Sequence, residues 1–555
     1  MPYKDADLWM PQKPIELEPN ALTAVKAAES LAIAAGPGTG KTELLSQRAC
    51  YLLQTGRCPA PRRILALSFK TDAARNLKDR VALRCGLEAG DRFDSYTFHA
   101  FAKQIVDRFR LALPVQHRPN ANYAIGKGKW PAFIQFPRLL TLAHAIMTGS
   151  PGILRAFQAT YSHLFLDEFQ DCTTAQYALV KTLLDRSQVV FTAVGDANQA
   201  IMGFAGALPL AFQTLVDDFR LEAPLELYIN RRSLPYLQEV QRSILHAKEA
   251  RGQVFERSGA EGGEVNLCVF SSCVQELDFL VSLVGELTQH EASRVCFIVR
   301  NRATADGLVQ QLESLAIPFR DERFDVQEIL SEPLADCILA WIRLGIEENP
   351  GSRQRLYQFV DNVLGLLDDD TYYTRALERS LENGLKVFRE QCDVSDPSRD
   401  TLRKGIDWLL REFLGLKQIA ATWSQYGQGD RLLSVIRRVG ALLQEARDRT
   451  HGWLEALNLV EGVGALRIMT VHKCKGLEFD SVVVVGLEDQ TFSGDNTLEE
   501  WCCFYVAASR AKSRMWFTTA TVRGGNTSTF LRTQPLHRAL EQAGVERTEY
   551  EAVSS

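Results

Sequence analysis

Short runs of aliphatic and β-branched residues recur along the chain, each followed by a polar turn and then an apolar stripe at helical spacing. Residues 31–35, 64–68, 163–166, 189–194, 294–299 and 481–486 read as buried strands in this pattern. Strands that alternate with helices build parallel sheets, so the pattern predicts an α/β fold. Two stretches break the rhythm, from about 103 to 136 and from about 351 to 463, where apolar positions follow a helical period between charged faces. Both are expected to be helical insertions into α/β lobes. A chain of 555 residues also exceeds what one hydrophobic core organises, which favours several domains.

Composition changes this picture little. A net charge of -5 and a pI near 6.1 give no global basic signature, so any nucleic-acid contact must come from a local groove. The twelve cysteines are scattered without a CxxC pair and are expected to be buried reduced thiols. No apolar run approaches the roughly 20 residues that span a bilayer, and the N-terminus lacks a secretory pattern. A cytoplasmic protein without membrane contact is the expectation.

Three segments carry candidate chemistry. AGPGTGKT at 35–42 lies between a predicted strand and a predicted helix. In such a loop the backbone N–H groups of Gly36, Pro37's neighbours, Gly38, Thr39 and Gly40 close around phosphate oxygens, Lys41 reaches the terminal phosphates and Thr42 is placed to ligate magnesium. ATP and Mg2+ are therefore the expected cofactors. HLFLDEFQD at 163–171 ends an apolar strand in two carboxylates; Asp167 suits the metal and Glu168 suits activation of the attacking water. FTAVGDANQAIMGFAGA at 191–207 runs a third strand into Gln199, placed to sense the terminal phosphate, and Phe204, which taken alone reads as a core residue more readily than as a platform for a base.

With these segments in hand, the order of blocks resembles the UvrD/Rep/PcrA family of superfamily 1 helicases. ILALSFKTDAARNLKDRV (64–81), SYTFHAFA (95–102), DEFQD, VGDANQAIMGFAGA, LYINRRS (227–233), IMTVHKCKGLEF (468–479) and FYVAASRAK (504–512) follow the P-loop in the family's order. The resemblance implies two RecA-like lobes with these bounds: 1–103 and 137–225 for the first, 226–350 and 464–545 for the second. It also implies inserts at 104–136 and 351–463 and a tail at 546–555. It implies that Arg232 and Arg510 reach the terminal phosphate from the second lobe, with Gly476 and Glu478 near the nucleotide. It places single-stranded DNA on Phe69, Thr97, Phe98, His99, Phe204, Thr470 and His472. The activity implied is an ATP-dependent DNA helicase or single-strand translocase of 3′-to-5′ polarity, in repair, recombination or anti-phage defence, acting on single-stranded or tailed duplex DNA. An ATPase subunit that gates a partner nuclease is the alternative.

The chain departs from the resemblance in several places. Ala21 stands where a glutamine usually reads adenine, Glu43 follows the P-loop threonine in place of arginine, and Arg231 replaces an aromatic. We therefore expect Arg231 to stack on the base while Glu43 anchors its guanidinium. Ala205, Trp501 and Cys502 stand where arginines are usual. Short inserts, and a brief TTATVRGGNTSTFLR stretch after the last block that leaves little room for a long strand-separating hairpin, favour translocation over strand separation. No carboxylate cluster of the nuclease type follows that block.

Overall fold

The computed structural model describes residues 3–12, 16–86, 90–121, 123–125, 128–203, 206–249, 255–323, 327–330, 332–364, 371–392, 397–423, 426–427, 430–492 and 497–550. They form two compact units, one of residues 1–121, 125–276 and 474–555, the other of 122–124 and 277–473. These bounds differ from the expected lobes: residues 226–276 and 474–550 lie in the same unit as the P-loop.

In the first unit, six parallel strands form one sheet: β1 (Leu31–Ala35), β2 (Arg63–Ser68), β3 (Phe93–Thr97), β4 (Tyr161–Leu166), β5 (Val190–Gly195) and β6 (Leu225–Leu227), in the order β3-β2-β4-β5-β1-β6. Because β4, β5 and β1 are neighbours, with Leu31 opposite Thr192 and His163 opposite Val190, their carboxyl ends emerge side by side. Ligands bind at that end of parallel sheets. The helix after β1, α2 (Lys41–Gln54), is buried along nearly its whole length beneath α1 (Pro19–Lys26) and α3 (Thr71–Cys85), in a core that includes Trp9, Leu45, Tyr51 and Phe165.

Arg48 of α2 is fully buried in this core. It donates to the carbonyls of Ala24, Val25 and Ala27, the last turn of α1, and to Thr192 Oγ1 of β5 at 2.8 Å. One cation thus satisfies a helix C-terminus that would otherwise be buried without partners. Burial lowers its pKa to about 10, which leaves it charged at neutral pH. Arg48→Met is expected to destabilise the first unit by about 3 kcal/mol, since the carbonyls stay buried and unpaired. A urea unfolding midpoint equal to wild type would contradict this role.

The expectation that every cysteine is a free thiol fails at one pair. Cys50 on α2 and Cys85 at the end of α3 form a disulfide, with Cα atoms 5.2 Å apart. The two helices pack alongside each other, which brings residues distant in sequence within bridging reach.

Four more strands of the first unit are β7 (Glu264–Phe270), β11 (Phe479–Val485), β12 (Ala511–Ala520) and β13 (Glu546–Tyr550), parallel in the order β11-β12-β7-β13. The tail expected at 546–555 is therefore a strand as far as Tyr550, pairing Glu546 with Asn266 and Tyr550 with Phe270. In the second unit β8 (Val295–Val299), β9 (Phe319–Asp321) and β10 (Leu466–Thr470) are parallel in the order β9-β10-β8.

The described residues of the long insert are helical, gathered around Pro333–Ile346, whose side chains are almost all buried. The small insert is less helical than expected. After α4 (Phe98–Phe109) its described residues hold two three-residue 3-10 turns and two two-residue strands before the next helix at Phe136. Pro114, Pro119 and Pro131 interrupt any longer helix there. Among the described residues no helix is long and apolar enough to cross a membrane.

Candidate nucleotide site

The P-loop leaves β1 and enters α2 through Gly40, whose φ of 88° is left-handed. At Gly38, with φ 74°, an added Cβ would lie 2.2 Å from Asn230 Oδ1 and 2.6 Å from the Arg232 Cβ. Only glycine lets the loop and the 230–232 segment approach this closely, and the Arg231 N–H donates to the Gly38 carbonyl at 2.9 Å. Lys41 Nζ folds back on the loop, donating to the carbonyls of Ala35 at 3.0 Å and Gly36 at 3.1 Å. Thr39 Oγ1 closes the turn onto the Gly36 carbonyl.

At the end of β4, Asp167 N–H still pairs with the Leu67 carbonyl, and the chain then turns sharply at Glu168, a non-glycine residue at φ 50°. Such strain is held in place by surrounding structure and concentrates at functional sites. Its neighbours form a continuous polar path. Gln170 Nε2 donates to Glu168 Oε2 at 2.5 Å while Gln170 Oε1 accepts from Asp196 N–H at 3.0 Å. Asp196 Oδ2 accepts from Gln199 Nε2 at 2.8 Å, and Gln199 Oε1 accepts from Arg510 Nη2 at 2.9 Å. Glu168 is thus linked through two glutamines to an arginine more than three hundred residues away in sequence.

Arg510 is buried, and its other donors are spent on the carbonyls of Val506 and Leu477 and on Ser509 Oγ. Arg232 reaches the same neighbourhood, with Nη1 on the Ser509 carbonyl and Nε on Glu478 Oε2 at 2.8 Å. Lys512 holds the other oxygen of Glu478. Gly476, at φ 87°, lies in the turn before β11 that leads to this carboxylate.

The electrostatics separate the two carboxylates. Burial, with the adjacent Glu168 charge, raises Asp167 well above the usual carboxylate range. Burial also works against Glu168, but Lys41, Lys475, Gln170 and Arg510 outweigh it and hold Glu168 low. The ionised partner is the one placed to accept a proton. Glu478 is lowered as well, because Lys512 and Arg232 overcome its burial.

Thr42 and Asp167 offer a hydroxyl and a carboxylate, the hard oxygen donors that magnesium takes. Among the described residues no three His, Cys, Asp or Glu side chains gather to hold a metal by themselves.

Glu43 does not pair with Arg231. It lies in the first turn of α2 facing α3, where Arg80 and Arg84 are its nearest cations at 3.4 and 3.3 Å and Gln47 donates at 2.7 Å. Arg231 instead donates to the Glu16 carbonyl at 2.8 Å.

The residues expected to contact DNA fare unevenly. Phe69 is half-buried at the end of β2. The hydroxyl of Thr97 is spent as the N-cap of α4, accepting from Ala100 N–H, and Phe98 is only 3% exposed, so its ring is packed in the core rather than open to a base. His99 meets Phe136 edge to face at 5.4 Å, and burial lowers its pKa. Phe204 and Ala205 lie outside the described residues. In the second unit, Thr470 ends β10 and His472 follows in the short helix Val471–Cys474.

Sequence reading missed Gln170, Asp196, Asn230 and Lys475. Lys475 Nζ lies 2.6 Å from Asp171 Oδ2 and 2.5 Å from the Gln199 carbonyl, and both charges are buried. Its signal was the second lysine of VHKCKGLEF, and that of Gln170 the glutamine inside DEFQD.

Comparison with known proteins agrees with this geometry. Residues 19–205 match the family model described as an AAA domain, and residues 451–522 match the UvrD-like helicase C-terminal domain. The chain is 24% identical to DNA helicase II of Escherichia coli strain K12, over 90% of this chain and 84% of that protein. It is 23% identical to the ATP-dependent DNA helicase PcrA of Leuconostoc citreum, over 90% and 81%, and 22% identical to a probable DNA helicase II homolog of Rickettsia felis, over 89% and 90%.

Proposed function

The chain belongs to the UvrD-like superfamily 1 helicases, and from that membership we propose that it is an ATP-dependent DNA helicase of repair or recombination that moves 3′-to-5′ along one strand. The observation that carries this reading is the polar path from Glu168 through Gln170, Asp196 and Gln199 to Arg510. A kinase or signalling NTPase has no need of such a link, whereas a motor must tell its moving parts whether the terminal phosphate is present.

Glu168, held ionised, takes the proton of the attacking water. Lys41, Arg232 and Arg510 supply positive charge where negative charge builds as the phosphoryl group transfers. Thr42 and Asp167 would hold a magnesium ion, which when bound neutralises phosphate oxygens. Gln199 joins the arginine to the acidic turn, so loss of the phosphate changes the contact that Arg510 makes. Phe69 offers a sequence-tolerant stacking face for a base. Phe69→Ala is expected to weaken single-stranded DNA binding roughly tenfold, whereas Phe98→Leu, a core change, leaves it near wild type. Fluorescence anisotropy with a short oligonucleotide checks both.

Unwinding of 3′-tailed against 5′-tailed duplexes tests the proposal. Preference for the 3′ tail supports it, and equal or reversed preference overturns the polarity. DNA-stimulated hydrolysis without unwinding of either would favour the alternative of a motor that gates a partner.

A further inference from the structure

Lys70 follows Phe69 at the junction of β2 and α3 and forms the N-cap position of that helix without capping it through its side chain. Its Nζ instead donates to the backbone carbonyl of Lys475 at 2.6 Å. Lys475 in turn points its own Nζ at Asp171 and at the backbone carbonyl of Gln199. Two lysines therefore connect the residue next to a candidate base platform with the residue that contacts Arg510.

Ammonium groups are costly to remove from water, and burial pushes Lys70 down. Lys475 is 4% exposed and Asp171 1%. A methionine would fill either lysine's place without that cost, so packing alone does not account for two such charges in series. What the charges add is direction: each fixes one backbone carbonyl relative to another segment. The second oxygen of Asp171 is buried with no hydrogen-bond partner, so Lys475 is the contact that holds this carboxylate.

We infer that half-buried Lys70 and buried Lys475 form a relay that couples DNA at Phe69 to the Gln199–Arg510 contact, making Lys70 a positioning residue for DNA-stimulated ATP hydrolysis. The inference rests on the reading of Phe69 as a DNA contact. A base stacking on Phe69 moves the β2–α3 junction, Lys70 carries that movement to the 475 backbone, and Lys475 carries it to the Gln199 backbone.

The test is ATP hydrolysis by the full chain with and without oligo-dT, for wild type, Lys70→Met, Lys70→Gln and Lys70→Arg, with the oligo-dT dissociation constant measured for each. Both neutral variants should lose roughly tenfold in the ratio of DNA-stimulated to basal rate while DNA affinity changes less than about threefold, and Lys70→Arg should restore most of the ratio. A ratio equal to wild type in either folded neutral variant, or a loss explained by weaker DNA binding, overturns the relay. If wild type itself is not stimulated by DNA, the helicase reading falls first and the relay with it.

Discussion

Glu168→Gln should lower steady-state ATP hydrolysis by roughly a thousandfold while nucleotide binding persists. The amide keeps the shape of the carboxylate but cannot accept a proton from water. It also removes a charge that Lys41, Lys475, Gln170 and Arg510 hold ionised, a loss that relief of the neighbouring Asp167 offsets only in part, so the fold should lose some stability yet remain folded. Loss of turnover in a variant that still folds cooperatively and binds nucleotide, with at most a modest fall in unfolding temperature, is the expected signature of a catalytic base. Binding of a fluorescent ATP analogue, read beside a thermal melt, checks it. A variant that loses activity only because it unfolds would point to a structural role instead.

Arg510→Ala should be nearly as damaging, by roughly a hundred- to thousandfold in kcat, since it removes the cation tied to Gln199. Arg510→Lys should rescue little. The guanidinium serves Val506, Leu477, Ser509 and Gln199 at once through a rigid fork, and an ammonium on a flexible stem cannot span those acceptors. Its pKa, lowered by burial to about 10, still leaves it charged under assay conditions. Equal activity in the lysine variant would mean that charge alone, without the fork, suffices.

The strands that sequence revealed are those buried on both faces. Leu31–Ala35 was legible to the residue, and 163–166 and 189–194 differ from β4 and β5 only at their ends. The strands that escaped carry polar side chains. Phe93–Thr97 reads FDSYT, Ala511–Ala520 carries Lys512, Ser513 and Arg514 in its first half, and Glu546–Tyr550 exposes every side chain because it lies at a sheet edge. Their pairing comes from backbone hydrogen bonds to neighbours, which leave no apolar period to read.

The candidate site divides in the same way. Asp167 and Glu168 directly follow a strand, and Lys41 and Gln199 lie within six residues of the end of one, so local pattern placed them. The contacts of Lys475 with Asp171 and of Lys70 with the Lys475 carbonyl span 304 and 405 residues, and no spacing rule reaches across such distances. The proposed Glu43–Arg231 partnership failed for a related reason. Spacing put both near the nucleotide, but the packing of α2 on α3 gave Glu43 two closer arginines.

The most direct measurement is the steady-state rate of ATP hydrolysis as a function of single-stranded DNA length. A motor that walks spends more cycles bound on longer strands before reaching an end, so the rate should rise with length towards a plateau and vanish in Glu168→Gln. A rate that DNA of any length leaves unchanged would contradict an ATP-driven motor on DNA.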